Sequence, residues 1–294
     1  MNTSMIEYVS STTCQVGESP LWHPAQTAWF WVDIPSKTLW RYQPQSGTET
    51  SWTTPEMLAN IALRKNGEFL AAMETGLFYL SLNDTSAPTC ELVAALPEKG
   101  PGIRWNDGRT DRQGRYWSGS MFMDMGAAKA IGNLYRLTND HQLAGPFVSE
   151  LLTQNGLAWS PDGKTMYLSD SHPHRQFIWR FDYDISTGTP SNQTLFFDMR
   201  DIPGRPDGAA MDIDGCYWIC GNDGSVVYRM TPAGKIDRKI DLPMKKPAMC
   251  SFGGDDGQSL LITSIRPDPS DPDPWAGKTI LIRPGVQGMI DTPF

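Results

Sequence analysis

A repeating hairpin pattern constrains this sequence more than any other feature. In residues 155–170, NGLAWSPDGKTMYLSD, two short alternating apolar runs flank a Pro-Asp-Gly turn, which predicts a β-hairpin. Similar units, each with a turn glycine about eight residues after an anchor residue, occur along the whole chain. Their anchors are Glu18, Asn60, Asn106, Asn155 and Asp207, with a weaker sixth copy near Met249. Successive anchors are 42 to 52 residues apart, a period typical of β-propellers.

One blade for each repeat predicts an all-β fold: a six-bladed β-propeller with four antiparallel strands per blade. The segments after the central hairpins supply further strands at similar offsets. They are TLWRYQP, GLFYLSL, NLYRLTN, FIWRFDYD, VVYRMTP and TILIRPG. Because the last copy ends at TILIRPG, we expect the early segment IEYVSS to join the last blade and close the ring. We expect a single propeller domain over residues 1–294, with the Pro-rich tract 266–275 as a loop of the sixth blade.

Composition limits the partners and the compartment. The formal net charge of −8 disfavours binding to nucleic acid or to an anionic membrane. No apolar run approaches the length of a membrane span, and the start MNTSMIEYVS lacks the basic and apolar regions of a secretion signal. We therefore expect a cytoplasmic location, and because a propeller is self-sufficient we expect a monomer. Five cysteines without framework spacing fit a reducing compartment, and Cys216 and Cys220, roughly 13 Å apart in a strand, are too distant for one zinc ion.

The anchor residues predict a cation site. The innermost strand of each blade lines the central channel of a propeller, so the anchors should form a polar ring around one axis. Poorly solvated carboxylates of Glu18 and Asp207 would repel each other unless a cation lay between them. Oxygen donors suit one divalent metal ion, with calcium expected first and zinc, manganese, magnesium or iron(II) as alternatives. The competing interpretation is that these residues only cap strand ends at turns.

Four stretches of the chain resemble the signature segments of the SMP-30/gluconolactonase/LRE family, which includes regucalcin and bacterial sugar lactonases. They are GESPLW (17–22), RWNDGR (104–109), NGLAWSPDG (155–163) and PDGAAMDIDGCYW (206–218). The resemblance implies a six-bladed propeller with one divalent ion held by Glu18, Asn155 and Asp207. It also implies that Asn106 lies beside the ion as a substrate or water-mediated contact and that Arg104 binds substrate oxygens. The alternative for Arg104 is a surface salt bridge.

The same resemblance implies a metal-dependent lactonase that hydrolyses a sugar lactone, an aldonolactone, to the aldonic acid. The cation would polarise the lactone carbonyl, and Asp207 would act as the general base that activates water. Glu18 would remain a ligand. Two alternatives stay open: a hydrolase of aryl esters or organophosphates with the same fold, and a non-catalytic propeller that binds calcium or a sugar.

Residues at the open ends of the hairpins are further candidates for substrate contacts. Folding two hairpins about their turns predicts that Asp170 lies opposite Asn155 and that Asn222 lies opposite Asp207. Asp170 and Asn222 are therefore candidates to contact substrate or to steer a ligand of the metal.

Two histidines and a methionine complete the predicted pocket. The loop SHPHRQF (171–177) leaves the fourth hairpin, so His172 and His174 are candidates for substrate contacts. The alternative is that both are exposed loop residues. Met121 holds the equivalent position in the third blade and would provide an apolar wall for the sugar ring.

Overall fold

The chain forms a ring of antiparallel sheets, which confirms the predicted six-bladed β-propeller. The computed structural model describes residues 6–83, 87–98, 100–138 and 140–294. Within these ranges there are six sheets of four strands, and the only helical elements are 3₁₀ turns at Pro24–Gln26 and Met125–Ala127. No helix of the described ranges is long and apolar enough to cross a membrane.

The strands follow one another in chain order with short connections. The first half contains β1 (Ile6–Val9), β2 (Gly17–His23), β3 (Ala28–Asp33), β4 (Thr38–Gln43), β5 (Thr48–Thr53), β6 (Leu58–Leu63), β7 (Phe69–Met73), β8 (Gly76–Ser81), β9 (Thr89–Ala95), β10 (Ile103–Thr110), β11 (Tyr116–Phe122) and β12 (Gly132–Leu137). The second half contains β13 (Leu143–Leu151), β14 (Gln154–Trp159), β15 (Thr165–Asp170), β16 (Phe177–Asp184), β17 (Thr189–Asp198), β18 (Arg205–Met211), β19 (Tyr217–Asn222), β20 (Val226–Met230), β21 (Ile236–Asp241), β22 (Pro247–Gly253), β23 (Ser259–Ser264) and β24 (Ile280–Ile282).

The ring closes as predicted. Strand β1 pairs antiparallel with β24, so the last sheet has the order β1-β24-β23-β22 and combines both ends of the sequence. This pairing covers the outer edge of β24, which would otherwise expose unpaired backbone groups. The Pro-rich tract 266–275 lies in the connection between β23 and β24, also as predicted.

Burial changes with distance from the axis. Strands β3 and β19, the second strands of their blades, are buried along their whole length because neighbouring blades cover both faces. The sequences of these strands are therefore almost continuously apolar. The outermost strand β21 alternates between exposed and partly buried residues. Trp29, Trp117 and Trp218 fill the spaces between blades, and replacing one of them by alanine should cost about 3–5 kcal/mol.

Every innermost strand carries a β-bulge close to its anchor. The register of the inner hairpins shifts between Glu18 and Leu21, Leu58 and Asn60, Trp105 and Gly108, Asn155 and Ala158, Pro206 and Ala209, and Pro247 and Cys250. A bulge places an extra residue on one strand and turns the backbone locally. The sixfold repeat of the bulge shows that it is part of the blade.

The bulges correct the predicted cross-strand pairs. Asn155 lies opposite Ser169, and Asp170 lies opposite Gln154, so the predicted pairing of Asn155 with Asp170 is wrong. Asn222 lies opposite Arg205, not opposite Asp207. The predictions counted outward from the turn and did not include the extra residue of the bulge.

The last residues of the chain cross the channel at the end opposite the anchors. The backbone N–H of Met289 donates to the carbonyl of Met211 at 2.8 Å, at the turn end of β18. The Thr110 hydroxyl donates to the Thr292 carbonyl at 2.6 Å, at the turn end of β10. These contacts reach across different blades, so this segment covers the far end of the channel.

The cysteines form no disulfide. All five are free, and Cys216 and Cys220 are buried among core residues.

Candidate metal and substrate site

The anchor residues gather at one end of the channel. Glu18, Asn106, Asp107 and Asn155 line one small pocket together with Asn60, and Met249 forms its apolar side. Asp207 belongs to the same site, since its charge acts directly on the carboxyl group of Glu18. Glu18 and Asn155 thus line one pocket, and Asp207 lies within electrostatic reach of Glu18.

Local backbone geometry at the bulges sets the anchors in place. Gly156, directly after Asn155, has a φ of 67°, a conformation that favours glycine. A Cβ atom there would lie 2.5 Å from the hydroxyl oxygens of both Ser169 and Tyr217. The Tyr217 hydroxyl donates to the Gly156 carbonyl at 2.7 Å and holds this turn of the backbone. The position of Asn155 therefore depends on a residue without a side chain.

The two carboxyl groups of the site are poorly compensated as anions. Burial raises the pKa of Glu18 well above its usual range, and the charges of Asp207 and Asp107 raise it further. Burial also raises the pKa of Asp207 to about 7, although the charge of Arg205 opposes the shift. Without another positive charge, full ionisation of both groups is therefore costly.

The residues fit a hard divalent cation. Carboxylate and amide oxygens are the ligands that calcium, magnesium and manganese prefer, and the repulsion between Glu18 and Asp207 is what a cation would relieve. In the part of the chain that the structure describes, no group of three or more His, Cys, Asp or Glu residues is placed to hold a metal ion. A cation at this site would thus need the amide oxygen of Asn155 beside the two carboxylates.

Asn222 orients the carboxylate of Asp207. Its amide nitrogen donates to Asp207 Oδ2 at 2.6 Å, and its own oxygen accepts a hydrogen bond from Arg205 at 3.2 Å. Asp207 is only 5% exposed, so this contact fixes one carboxylate oxygen inside the channel. This hydrogen bond runs diagonally between the two strands, because the bulge places Arg205 and not Asp207 directly opposite Asn222.

Arg104 and Asn106 form one hydrogen-bonded unit. Arg104 Nη1 donates to Asn106 Oδ1 at 2.8 Å and to the Trp105 carbonyl at 2.7 Å. The amide nitrogen of Asn106 donates to the Gln154 carbonyl at 2.6 Å, which ties the third blade to the fourth. Burial lowers the pKa of Arg104 to about 10, whereas the negative charges of Glu18 and Asp207 act to raise it. Arg104 is thus a fixed cation beside the acidic ring.

Asn60 supports this unit. Its amide nitrogen donates to the Asn106 carbonyl at 2.7 Å and to the Ser118 hydroxyl at 3.1 Å. The Tyr116 hydroxyl donates to Asn60 Oδ1 at 2.5 Å. These contacts engage both ends of the Asn60 amide, so this anchor braces the third blade.

Asp170 binds backbone amides at the end of its strand. Its carboxylate accepts hydrogen bonds from the N–H groups of Leu152 and Thr153, each at 2.9 Å, and of His172 at 3.2 Å. Asp33 does the same in the first blade, where it accepts from the N–H groups that precede β2. Asp170 thus braces the backbone just before β14 and just after β15. Contact between Asp170 and a substrate stays a prediction.

His172 is buried and holds the loop beside it. It is 4% exposed, so the interpretation of His172 as an exposed loop residue is wrong, whereas His174 is exposed. The Nε2–H of His172 donates to the Met125 carbonyl at 2.9 Å, because a carbonyl can only accept. Its Nδ1 accepts from the backbone N–H of His174 at 3.1 Å. His172 therefore pins the 3₁₀ turn Met125–Ala127 to the fourth blade.

Met121 occupies a buried wall position. It pairs with Arg104 across β10 and β11 and forms a bridge with Thr153 of the next blade. Whether Met121, His172 or Asp170 contacts a substrate stays a prediction.

Asp107 is an acidic residue of the pocket that the sequence analysis missed. In a regular strand it would face away from its neighbour Asn106. The bulge between Trp105 and Gly108 breaks that alternation and brings Asp107 into the channel. The sequence signal was its place in RWNDGR, directly after an anchor.

Known proteins resemble this chain along nearly its whole length. A family model described as the SMP-30/Gluconolactonase/LRE-like region matches residues 16–266. A 6-deoxy-6-sulfogluconolactonase of Pseudomonas putida is 34% identical over 283 residues, which cover 95% of this chain and 94% of that protein. Regucalcin of Oryctolagus cuniculus is 34% identical over 299 residues, 98% of both chains. The structure of a calcium-binding protein, regucalcin of Agrobacterium tumefaciens, superposes with a TM-score of 0.88 at 27% identity and covers 97% of this chain and 95% of that one.

Proposed function

This chain belongs to the SMP-30/gluconolactonase/LRE-like family, and on that premise we propose that it is a divalent-metal-dependent lactonase that opens a sugar lactone to its aldonic acid. The observation that carries the proposal is the set of oxygens from Glu18, Asn155 and Asp207 at one end of the channel, with raised pKa values for both carboxyl groups. The relative named 6-deoxy-6-sulfogluconolactonase supports a sugar lactone as substrate.

The cation would be held by Glu18, Asn155 and Asp207, with calcium expected first and zinc, manganese, magnesium or iron(II) as alternatives. When bound, such an ion supplies Lewis acidity that polarises a carbonyl and favours negative charge on its oxygen. The relative described as a calcium-binding protein supports calcium as the first ion to test.

Asp207 is the proposed general base. Asn222 engages Oδ2, which leaves Oδ1 available to accept a proton from water. The water oxygen then adds to the carbonyl carbon, the acyl C–O bond of the lactone ring breaks, and the proton returns from Asp207 to the departing alkoxide.

Arg104 and Asn106 are proposed to orient the sugar. Nη1 of Arg104 is fixed by Asn106 and by the Trp105 carbonyl, which holds the guanidinium group in one orientation. A guanidinium group offers several donors in a planar fork and suits neighbouring hydroxyl oxygens. Met121, Asp170 and His172 are proposed to form the surrounding wall.

The test is a panel of aldonolactones assayed for acid release by the chelator-treated protein, with single ions then added back. We expect no hydrolysis above background after chelation and recovery with calcium or with one of the alternative ions. Full activity in the metal-free protein would overturn the metal requirement. Tight calcium binding without hydrolysis of any lactone would favour the non-catalytic calcium-binding alternative.

We also propose that the chain is a single-domain monomer, because pairing of β1 with β24 closes the ring without a partner. Light scattering of the purified protein measures its mass directly, and a dimer mass would contradict this.

A further inference from the structure

Asp107 is a buried acidic residue that the proposed reaction does not use; burial raises the pKa of its carboxyl group, and the charge of Arg109 opposes that shift. The residue is 5% exposed and lines the same pocket as Glu18 and Asn155. Its Oδ2 accepts a hydrogen bond from the backbone N–H of Leu157 at 3.0 Å. Its Oδ1 is buried and has no hydrogen-bond partner among the described residues. An unpartnered carboxylate oxygen in such a place is costly unless a ligand or its hydration shell compensates it.

The charge of Asp107 acts on both carboxylates of the proposed cation site. It raises the pKa of Glu18 and that of Asp207, so the three acidic groups lie within electrostatic reach of one another. Arg109 is the cation that opposes Asp107 most strongly, but its guanidinium group is shared with Asp291 at 3.6 Å on the far side. The positive charge of Arg109 is therefore shared between Asp107 and Asp291.

Asp107 also touches the strand that presents Asn155. Leu157, whose N–H it binds, follows the bulge at Gly156 and lies in the neighbouring blade. One carboxylate oxygen thus holds the backbone beside a proposed ligand, while the other remains free in the pocket.

We propose that Asp107 is a positioning residue for the divalent cation: it adds a third negative charge to the site without being a ligand and holds the backbone next to Asn155. This inference rests on the proposed cation site. Asp107 is not assigned as a ligand because the described residues contain no group of three carboxylates arranged around one point. It acts instead through space, where a charge in a poorly solvated channel still has a strong effect on a divalent ion.

The test is Asp107→Asn in the full chain, with calcium affinity measured by calorimetry and thermal unfolding followed with and without calcium at pH ~8, which favours ionised carboxyl groups more than a lower pH does. The amide oxygen of the variant can still accept from Leu157, so mainly the charge is lost. We expect the Kd for calcium to rise about tenfold or more and the Tm of the calcium-free variant to rise by a few degrees, because repulsion is relieved while Arg109 keeps its ion pair with Asp291.

The opposite signs of these two changes distinguish the proposal from a merely structural role. If Asp107 only braced Leu157, the calcium-free Tm would fall and the Kd would stay constant, and that result would overturn the inference. A variant that fails to fold would overturn it as well, since the calcium-free protein is expected to gain stability.

Asp291→Asn is the matched control, because it removes one carboxylate from the same channel on the other side of Arg109. We expect its calcium-free Tm to fall, since Arg109 loses a partner, and its Kd for calcium to change by no more than about twofold. If the wild-type protein bound none of calcium, magnesium, manganese, zinc and iron(II), the proposed cation site would fail together with this inference. If the wild type bound calcium and Asp107→Asn bound it equally well, only this inference would fail.

Discussion

At the scale of single residues, the two oxygens of the Asp207 carboxylate have different tasks. Asn222 binds Oδ2, so Oδ1 is the proposed site of proton transfer, and the carboxylate keeps a further lone pair for the cation. The side chain is buried, which removes the competing hydrogen bonds that bulk water would offer. The proposed chemistry therefore depends on one atom whose orientation is set by a neighbouring amide.

Asp207→Asn tests this assignment. The side-chain amide of asparagine is too weak a base to accept a proton from water. We therefore expect kcat for lactone hydrolysis to fall by about 10³-fold while the fold is kept. The measurement is kcat together with the Tm of the variant. Asp162→Asn, in the exposed turn of the fourth hairpin, is the control and should keep wild-type turnover. Unchanged turnover in Asp207→Asn would reject Asp207 as the base.

The raised pKa of Asp207 also predicts how stability depends on pH. Its folded-state pKa is about 7 against an ordinary value of 3.8, so the folded state binds the proton more tightly than the unfolded state. The stabilisation is complete below the ordinary pKa and is lost as pH rises through the folded pKa. We expect the Tm of the calcium-free protein to fall by several degrees between pH ~5 and pH ~8.

Thermal scans over that pH range check the sign. Saturating calcium should flatten the curve, because the cation favours the ionised carboxylates, and Asp207→Asn should remove part of the slope in the calcium-free protein. A calcium-free Tm that rises over this range would contradict the assignment of a raised pKa.

At the scale of elements, the bulge in each innermost strand determines which side chains enter the channel. The turn residues and the alternation of apolar residues were sufficient to predict the hairpins and their order. They could not predict the bulges, because an extra residue in a strand has no distinct composition and only shifts the register. For this reason the predicted pairing of Asn155 with Asp170 was wrong, and Asp107 was missed as a channel residue.

Gly156→Ala tests the role of the bulge. Gly156 has a φ of 67°, and an added Cβ would lie 2.5 Å from two hydroxyl oxygens. We expect a loss of stability of about 2–4 kcal/mol and weaker calcium binding, because relief of the contact would displace Asn155. Denaturant unfolding and calorimetry measure the two effects.

Gly47→Ala is its control, since Gly47 has a φ of 66° but no atom within 4 Å of the added Cβ. The backbone strain is similar, so we expect a cost of about 1 kcal/mol and no change in calcium affinity. Equal losses in the two variants would mean that strain alone, and not the contact at the bulge, explains the result for Gly156.

The loop beside the pocket offers a second test at this scale. His172 holds the turn Met125–Ala127 through the Met125 carbonyl. His172→Ala should increase amide hydrogen exchange in residues 123–131 while leaving exchange in β14 and β15 unchanged. We expect KM for the lactone to rise more than kcat falls. His174→Ala, at an exposed position, should change neither.

At the scale of the whole molecule, the ring and the cation site depend on each other. Glu18 lies in the first blade and Asp207 in the fifth, so their approach requires every blade to be in place. The periodic sequence was sufficient to predict six blades and the closing strand, because each sequence repeat corresponds to one blade. It could not predict how the far end of the channel is covered, since the contacts of Met289 and Thr292 are not part of the repeat.

Removal of the closing strand tests this dependence. Residues Ile6–Val9 form β1 and supply the only partner on the outer edge of β24 within the described residues. A chain that lacks residues 1–9 should lose about 10 °C or more in Tm and aggregate on heating, because the edge of β24 becomes exposed. A chain that lacks residues 1–5 keeps Ile6–Val9 and is the control for shortening of the chain. Because Glu18 follows β1 in sequence and lies beside the sixth blade, loss of closure should also weaken calcium binding. A nine-residue deletion with wild-type Tm and calcium affinity would show that the other blades hold the site without closure.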